Sequence, residues 1–473
     1  MFRELEPYPA YADSEPDWPA LPEGWTTSRL RAVSTLLVSN VDKLTKEDEL
    51  PVRLCNYVDV YKHDYITDRP GYMKASASED EIRRFKILID DVVITKDSES
   101  WSDIGVPTYA VYESDDLVCG YHLALLRTHK ERLTGAYLFR ALQAPVIAHQ
   151  FHVAAGGVTR YGLSQDDIKS AGVPIPPLDE QAAIVKYLRH AHARIDRAIA
   201  AKRKLIALLE EQKQAIINQA VTRGLDPNAP MKDSGIPWLG QIPVAWELQP
   251  ARRLLRAVVR PPDGNSGPQF SMTRAHGLVP TDALGAGAGR AANGENLQVC
   301  EVGDFVLNKY RAHLGLFRCA RERGRVTRNY TVFERRVEIS TEYIEMLMHS
   351  TPYSDAFRIM ARGVGDGMSP LYTSTFYGIP VVFPPPRVQA EIALFVAEAM
   401  KASAAVASRL SDEIRLLLEF RTRLTSDVVS GQLDVREVAS TLPDLVEPSP
   451  VDADSGEDEL LDELDEVLEE ADA

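Results

Sequence analysis

A long internal repeat constrains this chain more than any other feature, because two copies of one pattern fold as two copies of one unit. Near the start stand Asp13-Ser14, Trp18 and Leu21-Pro22-Glu23-Gly24-Trp25; in mid-chain stand Asp233-Ser234, Trp238 and Ile242-Pro243-Val244-Ala245-Trp246, an offset of 220 to 221 residues. Further along, Asp91-Val92-Val93-Ile94-Thr95-Lys96 matches Asp304-Phe305-Val306-Leu307-Asn308-Lys309. Each is an apolar, strand-like run ending in a polar residue and a lysine. Gly120-Tyr121-His122 pairs with Asn329-Tyr330-Thr331, and Gly172-Val173-Pro174-Ile175 with Gly378-Ile379-Pro380-Val381. A proline cluster follows each of the last two.

After each proline cluster comes a long helical stretch, the second offset from the first by 208 residues. Alternate steps of four and three give Ile184, Leu188, Ala191, Ile195, Ala198, Lys202, Leu205, Leu209, Gln212 and Ile216, and then Ile392, Val396, Ala399, Ser403, Val406, Leu410, Glu413, Leu417, Phe420 and Leu424; eight of the ten are apolar in each. A seam of period 3.5 sustained beyond four heptads predicts a coiled coil. The segment Gly224-Leu225-Asp226-Pro227 supplies the residues that stop a helix and open a loop. Strand-like runs at 86–94, 117–126 and 300–307 mix with helical patches at 136–143 and 342–349. The expected fold class is α+β: two pseudo-symmetric α/β domains separated by two long antiparallel coiled-coil helices. The expected divisions are 1–178, 179–223, 224–386, 387–436 and an acidic tail, 437–473.

The net charge of −16 argues against a partner rich in phosphate, but its distribution removes the objection. From Asp444 onward there are fourteen Asp and Glu and no Lys or Arg, so the preceding residues carry only −2. Cys55, Cys119, Cys300 and Cys319 are far apart and lack histidine partners at zinc spacing, so no metal site is expected. No apolar run reaches membrane-spanning length and the start lacks a signal-peptide stretch, so the expectation is a cytoplasmic protein without a membrane partner.

Duplication within one chain implies a pseudo-twofold arrangement of two heads. DNA-binding dimers use such symmetry to read two half-sites at fixed spacing. A helix from Ile184 to Ile216 would run about 50 Å, enough to hold two heads apart like a ruler. The heads differ in sequence, so their half-sites should differ and enclose an unread spacer.

Three segments carry a family resemblance. Asp233-Ser234-Gly235-Ile236-Pro237-Trp238-Leu239-Gly240-Gln241-Ile242-Pro243, ending at Trp246, resembles the opening of a target recognition domain in the specificity subunits of type I restriction-modification systems. Pro176-Pro177-Leu178-Asp179-Glu180-Gln181 resembles the family's conserved helix start, and Ser430-Gly431-Gln432-Leu433-Asp434-Val435 its helix exit. The second helix start, Pro386-Arg387-Val388-Gln389, keeps the glutamine and lacks the acidic pair. The resemblance implies a non-catalytic, DNA-binding subunit that serves defence against foreign DNA. It implies double-stranded DNA, two DNA adenine methyltransferase subunits and motor/endonuclease subunits as partners. S-adenosylmethionine, ATP and Mg are expected on those partners and no cofactor on this chain, and Gln181 and Gln389 become candidate partner contacts.

Lys96 and Lys309 end matched strands, and Thr95, Ser98, Asn308 and Arg311 beside them are of types that fix phosphates or read base edges. The loops Gly156-Gly157-Val158-Thr159-Arg160-Tyr161 and Arg362-Gly363-Val364-Gly365-Asp366-Gly367-Met368-Ser369 combine glycines with an arginine and a hydroxyl. That adds Arg160, Arg362 and Ser369 as candidate DNA contacts. The same residues also fit strand ends opening solvated loops, and Tyr121 and Tyr330 fit a core. The acidic tail reads as a disordered solubilising segment, with DNA mimicry as the alternative. A fused methyltransferase finds no Asn/Asp-Pro-Pro-Tyr/Phe run. A two-headed coiled-coil scaffold that binds proteins fits the helices equally well.

Overall fold

The computed structural model describes residues 5–12, 18–264, 266–273, 276–284, 296–361 and 370–444. The expected acidic tail beyond 444, the loop 285–290 and the pair Asp13-Ser14 therefore lie outside the described residues. The chain forms two compact units. The described residues up to Lys202 and those from Asp412 onward make the first, and Arg203–Ser411 make the second. Helices and strands are mixed in both, as expected of an α+β chain.

Each unit is built on the same four-stranded antiparallel order. In the first, Ser34–Val38, Leu123–Thr128, Val92–Thr95 and Pro107–Ala110 lie side by side, with Tyr65–Ile66 added in parallel at the edge. In the second the order is Leu255–Val258, Tyr330–Arg335, Phe305–Asn308 and Phe317–Cys319. The central strands are unbroken apolar runs because both faces are covered, and residues alternate between the two cores. Val92 and Ile94 join one buried cluster with Tyr137 and Phe151, while Val93 joins another with Leu54 and Phe85. Phe305 and Leu307 face Tyr343 and Phe357, while Val306 faces Phe270 and Val326.

A short strand pair closes each unit beside its long helix: Thr26–Arg29 with Gly172–Ile175, and Glu247–Pro250 with Pro380–Phe383. Register corrects the matching made from sequence. Gly172 lies opposite Arg29 and Pro380 opposite Pro250, the last residues of equivalent strands, so Gly172 corresponds to Pro380 rather than Gly378. Likewise Thr95 faces Leu123 and Asn308 faces Tyr330, so Tyr330 corresponds to Leu123 rather than Tyr121. The predicted strands are also shorter. The run 86–94 is strand only over Val92–Thr95, after Asp90 turns the chain at φ 77°, and 117–126 breaks into Leu117–Cys119 and Leu123–Thr128. The run 300–307 likewise breaks between Leu297–Cys300 and Phe305–Asn308, at Gly303.

The long helices span Leu178–Arg223, 46 residues, and Pro386–Val429, 44 residues. Each gives one half to each unit. The buried seam does not keep the predicted heptad. After Ile195 it passes to Ile199 and later to Ile217, while Leu205 is exposed; on the second helix it runs through Leu410, Ile414 and Leu424, while Val406 and Phe420 are exposed. Steps of four are therefore more frequent than the heptad allows, and the stripe follows the 3.6-residue turn of a straight helix. In the first unit the halves meet antiparallel: Lys202 pairs with Glu413 at 2.5 Å, Asp196 with Arg421 at 3.4 Å, and His192 Nε2 meets Thr425 Oγ1 at 2.9 Å.

The ends of the chain complete the first unit. The Asp434 amide donates to the Glu6 carbonyl at 2.8 Å and the Tyr11 hydroxyl to the Gly431 carbonyl at 3.0 Å. Glu180 gathers them: one carboxylate oxygen accepts from Trp25 Nε1 at 2.9 Å and the Tyr8 hydroxyl at 3.1 Å, and Arg436 approaches the other at 3.4 Å. All four cysteines are buried and unpaired. Among the described residues no helix is long and apolar enough to cross a membrane.

Candidate nucleic-acid interface

The strand-end lysines and the glycine loops, separate in the sequence, meet in the structure. The Lys96 carbonyl accepts from the Leu163 amide at 2.9 Å, and the Lys309 carbonyl accepts from the Leu371 amide at 2.7 Å. Leu163 and Leu371 are 208 residues apart and each lies two residues past the end of its glycine loop in the sequence. Both units thus tie the leucine after the loop to the strand end by an equivalent backbone hydrogen bond. The helices before the loops, Pro145–Ala154 and Thr351–Met360, are offset by 206 residues. The second loop is accordingly two residues longer.

In the first unit this junction is described in full. Asp97 and Ser98 pair with Gly162 and Tyr161, and Gly156 and Gly162 exchange both backbone hydrogen bonds at 3.1 and 3.0 Å. The result is a narrow ribbon whose tip is Gly157-Val158-Thr159-Arg160. Gly157 has φ 146°, and a Cβ there would lie 1.9 Å from the Arg160 carbonyl, so the turn requires glycine. Val158 is 93% exposed at the tip. Beneath the tip Asp97 gathers donors: Arg160 Nη2 at 2.7 Å, Lys96 Nζ at 3.2 Å, and the His122 ring. Tyr121 lies over His122 with ring centroids 3.6 Å apart, and Tyr57 and Tyr61 stack at 5.6 Å alongside, with the Tyr57 hydroxyl 3.1 Å from Ser98 Oγ.

The candidate residues divide accordingly. Lys96 and Arg160 reach the surface together, and Arg160 is half exposed. Thr95 does not: it is fully buried, its hydroxyl donates to the Asp103 carbonyl at 2.6 Å and accepts from the Val106 amide at 3.0 Å, and it clamps a loop instead of meeting a ligand. Ser98 is also buried, receiving the Ser100 amide at 3.2 Å, and so positions Tyr57. In the second unit Asn308 and Arg311 bound a tight turn: Asn308 Oδ1 accepts from the Tyr310 amide at 3.1 Å and its carbonyl from the Arg311 amide at 3.2 Å. Arg311 is exposed there, whereas half-buried Lys309 donates to the Arg328 carbonyl at 2.9 Å. Arg362 and Ser369 lie outside the described residues.

Sequence reasoning passed over Asp97, His122, Tyr57 and Tyr61, and assigned Tyr121 to a core although it is 40% exposed. Tyr330, by contrast, is half-buried within the second unit's sheet. The sequence around Lys96 carries no aromatic signal, since residues 95–100 are polar throughout and Tyr57, Tyr61 and His122 lie far from them along the chain.

Gln181 and Gln389, expected to touch partner subunits, are fully buried. Gln181 Oε1 accepts from the Thr134 amide at 3.0 Å while Nε2 donates to the Arg132 and Pro176 carbonyls at 2.8 and 2.9 Å. Gln389 Oε1 accepts from the Ser340 amide at 2.9 Å and Nε2 donates to the Pro384 carbonyl at 2.8 Å. Thr134 and Ser340 are the N-caps of Gly135–Leu142 and Thr341–His349. Each glutamine therefore fixes a globular helix to a long one. Both side chains are closed off from solvent, so neither amide lies where a partner could reach it.

Comparisons with known proteins find the following relatives. Residues 22–211 match the family described as the type I restriction modification DNA specificity domain. The putative type I restriction enzyme MjaX specificity subunit of Methanocaldococcus jannaschii is 25% identical over 231 residues, 48% of this chain and 52% of that protein. The EcoKI specificity subunit of Escherichia coli is 25% identical over 207 residues, 42% of this chain and 43% of that protein. The chain spans about half the length of the curated relatives it matches. Among solved structures, one from a study of complex assembly and conformational transition of the type I R-M system superposes with a TM-score of 0.59 at 15% identity, covering 87% of this chain and 99% of that one. It shares the fold.

Proposed function

We propose that the chain is a type I restriction-modification specificity subunit, the family whose DNA specificity domain its residues 22–211 match, and that it gives DNA sequence specificity to a modification and restriction complex. Its two units read the two halves of an asymmetric site split by an unread spacer. The two long helices set that spacing. The chain itself performs no chemistry. Adenine methylation is carried out by two partner methyltransferase subunits and cleavage by motor/endonuclease subunits in the cytoplasm, with S-adenosylmethionine, ATP and Mg held by those partners.

One observation carries the reading. Two units of the same strand order hold the leucine after each glycine loop to a strand-end lysine through the same backbone hydrogen bond, while the loop sequences themselves differ. Equal frames with unequal surfaces suit two half-sites of different sequence. Between 224 and 386, Lys and Arg number 18 against 15 Asp and Glu, so the second unit is positive despite the acidity of the whole chain.

Methylome sequencing of cells expressing this chain with its modification subunit, against cells lacking the chain, tests the proposal. The expected result is adenine methylation at one split motif that depends on the chain. An active modification subunit with no such motif would transfer the function to a protein-binding scaffold.

A further inference from the structure

We infer that the ribbon Gly156–Gly162 is the base-reading element of the first unit, entering the DNA major groove with Arg160 directed at a guanine and Val158 at a thymine methyl. The inference rests on the DNA-reading function proposed above and names where one half of the site is read. The major groove admits a two-stranded ribbon, and this one is closed at its base by the paired Gly156–Gly162 hydrogen bonds and flanked by Asp97–Ser98.

The tip carries the residue types that major-groove edges select. Arginine forks onto guanine O6 and N7, a hydroxyl serves either donor or acceptor, and an apolar side chain packs on the thymine methyl. Val158 is 93% exposed with no protein reason to be so, since an isolated valine at a turn gains nothing from water. Arg160 is held through one nitrogen only: its contacts with Asp97 and with the His122 ring both use Nη2. Nη1 keeps both of its hydrogens for a base edge, and a two-donor fork onto guanine forms when Nη2 exchanges one of these partners for the base.

Asp97 acts here as a positioning residue. Its carboxylate is 18% exposed and is met by Lys96, His122 and Arg160, so it fixes the guanidinium before DNA arrives while the cluster as a whole stays positive. An arginine held in place loses less side-chain freedom on binding than one moving freely. Lys96 lies to the side of the fork, where a phosphate contact would set the register of the ribbon.

The test uses the complex of the full chain with its modification subunit, as wild type, Arg160→Ala, Arg160→Lys and Asp97→Asn. The methylome of each is read, and binding is measured on duplexes bearing the motif with every base pair changed in turn. Arg160→Ala is expected to make one G·C pair in one half-site degenerate and to weaken binding to the intact motif about tenfold or more, leaving the other half-site untouched. Arg160→Lys keeps the charge and should not restore that discrimination, and Asp97→Asn should relax it partially at the same pair. Uniform weakening on all duplexes would make Arg160 a phosphate contact and overturn the inference, as would an unchanged motif in all three variants. If the wild-type complex itself shows no split motif, the failure belongs to the DNA-reading function and not to the ribbon. Should methylation vanish in Arg160→Ala, the duplex series still separates loss of reading from loss of folding, because a misfolded chain binds none of the duplexes.

Discussion

The two units meet their long helices with the same backbone and opposite chemistry. In the first, buried His192 and Arg140, with partly exposed Arg421 and Asp64 and exposed Asp196, form a polar junction: Arg140 Nη1 donates to His192 Nδ1 at 3.0 Å, its Nη2 to the Tyr65 hydroxyl at 2.8 Å, and Arg421 Nη2 to Asp64 at 3.0 Å. With Nδ1 accepting, His192 carries its proton on Nε2 and donates to Thr425, which donates onward to the Arg421 carbonyl at 2.9 Å. At the same offsets the second unit has Met346, Met400, Lys213 and Ile217. There Met346, Met400 and Ile217 pack on an apolar core, beside a groove of about 240 Å³ lined in part by Met400, Ile217 and Val406. Glu180, which gathers Trp25 and Tyr8, has Val388 as its counterpart. A polar junction fixes geometry because each donor accepts only one arrangement, whereas an apolar one tolerates repacking. The same frame therefore admits two solutions.

The largest effect that would break this comparison is expected from exchanging Glu180 for its counterpart. Glu180→Val strands the Trp25 and Tyr8 donors, and urea unfolding should register a loss of about 3 kcal/mol, since each buried unpaired donor costs roughly 1–3 kcal/mol. A loss below half that would mean that the valine solution transfers and that the polar hub is dispensable.

The glutamine pair sharpens it next. Gln181→Ala removes more hydrogen bonds than Gln389→Ala, and the expected losses are about 3 and about 2 kcal/mol. Equal losses in matched urea titrations would show that the cap on Thr134 or Ser340 carries the whole effect.

Acid separates the units through one buried histidine each. Burial, with Arg140 and Arg421 close by, holds His192 down to about 2, and burial with Arg318 holds His349 down to about 3. Both are neutral in the fold and take up a proton in the unfolded chain below about 6.5. Their contribution is present above that value and is lost as pH falls toward the folded values. From pH 7 to pH 5 each should cost about 2 kcal/mol. His192→Met, which installs the second unit's residue, should remove that share, so its stability at pH 5 relative to pH 7 should exceed that of wild type by about 2 kcal/mol. Parallel pH profiles would contradict the assignment.

The smallest expected effect concerns the strand-end lysines. Lys96→Ala and Lys309→Ala should each weaken DNA binding without changing the motif and lower the salt slope by about one. Lys309 is already engaged with the Arg328 carbonyl, so its slope should change less than that of Lys96.

By itself the sequence determined the duplication, the first long helix within a residue, the start of the second within a residue though its end lies seven residues earlier than expected, and the paired strand ends at Lys96 and Lys309, because these are statements about periodicity and local propensity. It placed Lys96 and Arg160 among the contacts but could not join them, since Asp97 and Arg160 are 63 residues apart and meet only through strand pairing. Tertiary structure decided the two-residue shift that pairs Tyr330 with Asn308 and sets Pro380 at the place of Gly172, because register is fixed by which side chains the two cores accept. It also decided that Gln181 and Gln389 turn inward, that Thr95 and Ser98 are buried while Tyr121 is exposed, and that the helical seam follows 3.6 residues rather than 3.5. An apolar stripe read from sequence fixes which face of an element is buried, and only packing against a particular neighbour fixes which residue along that face makes the contact.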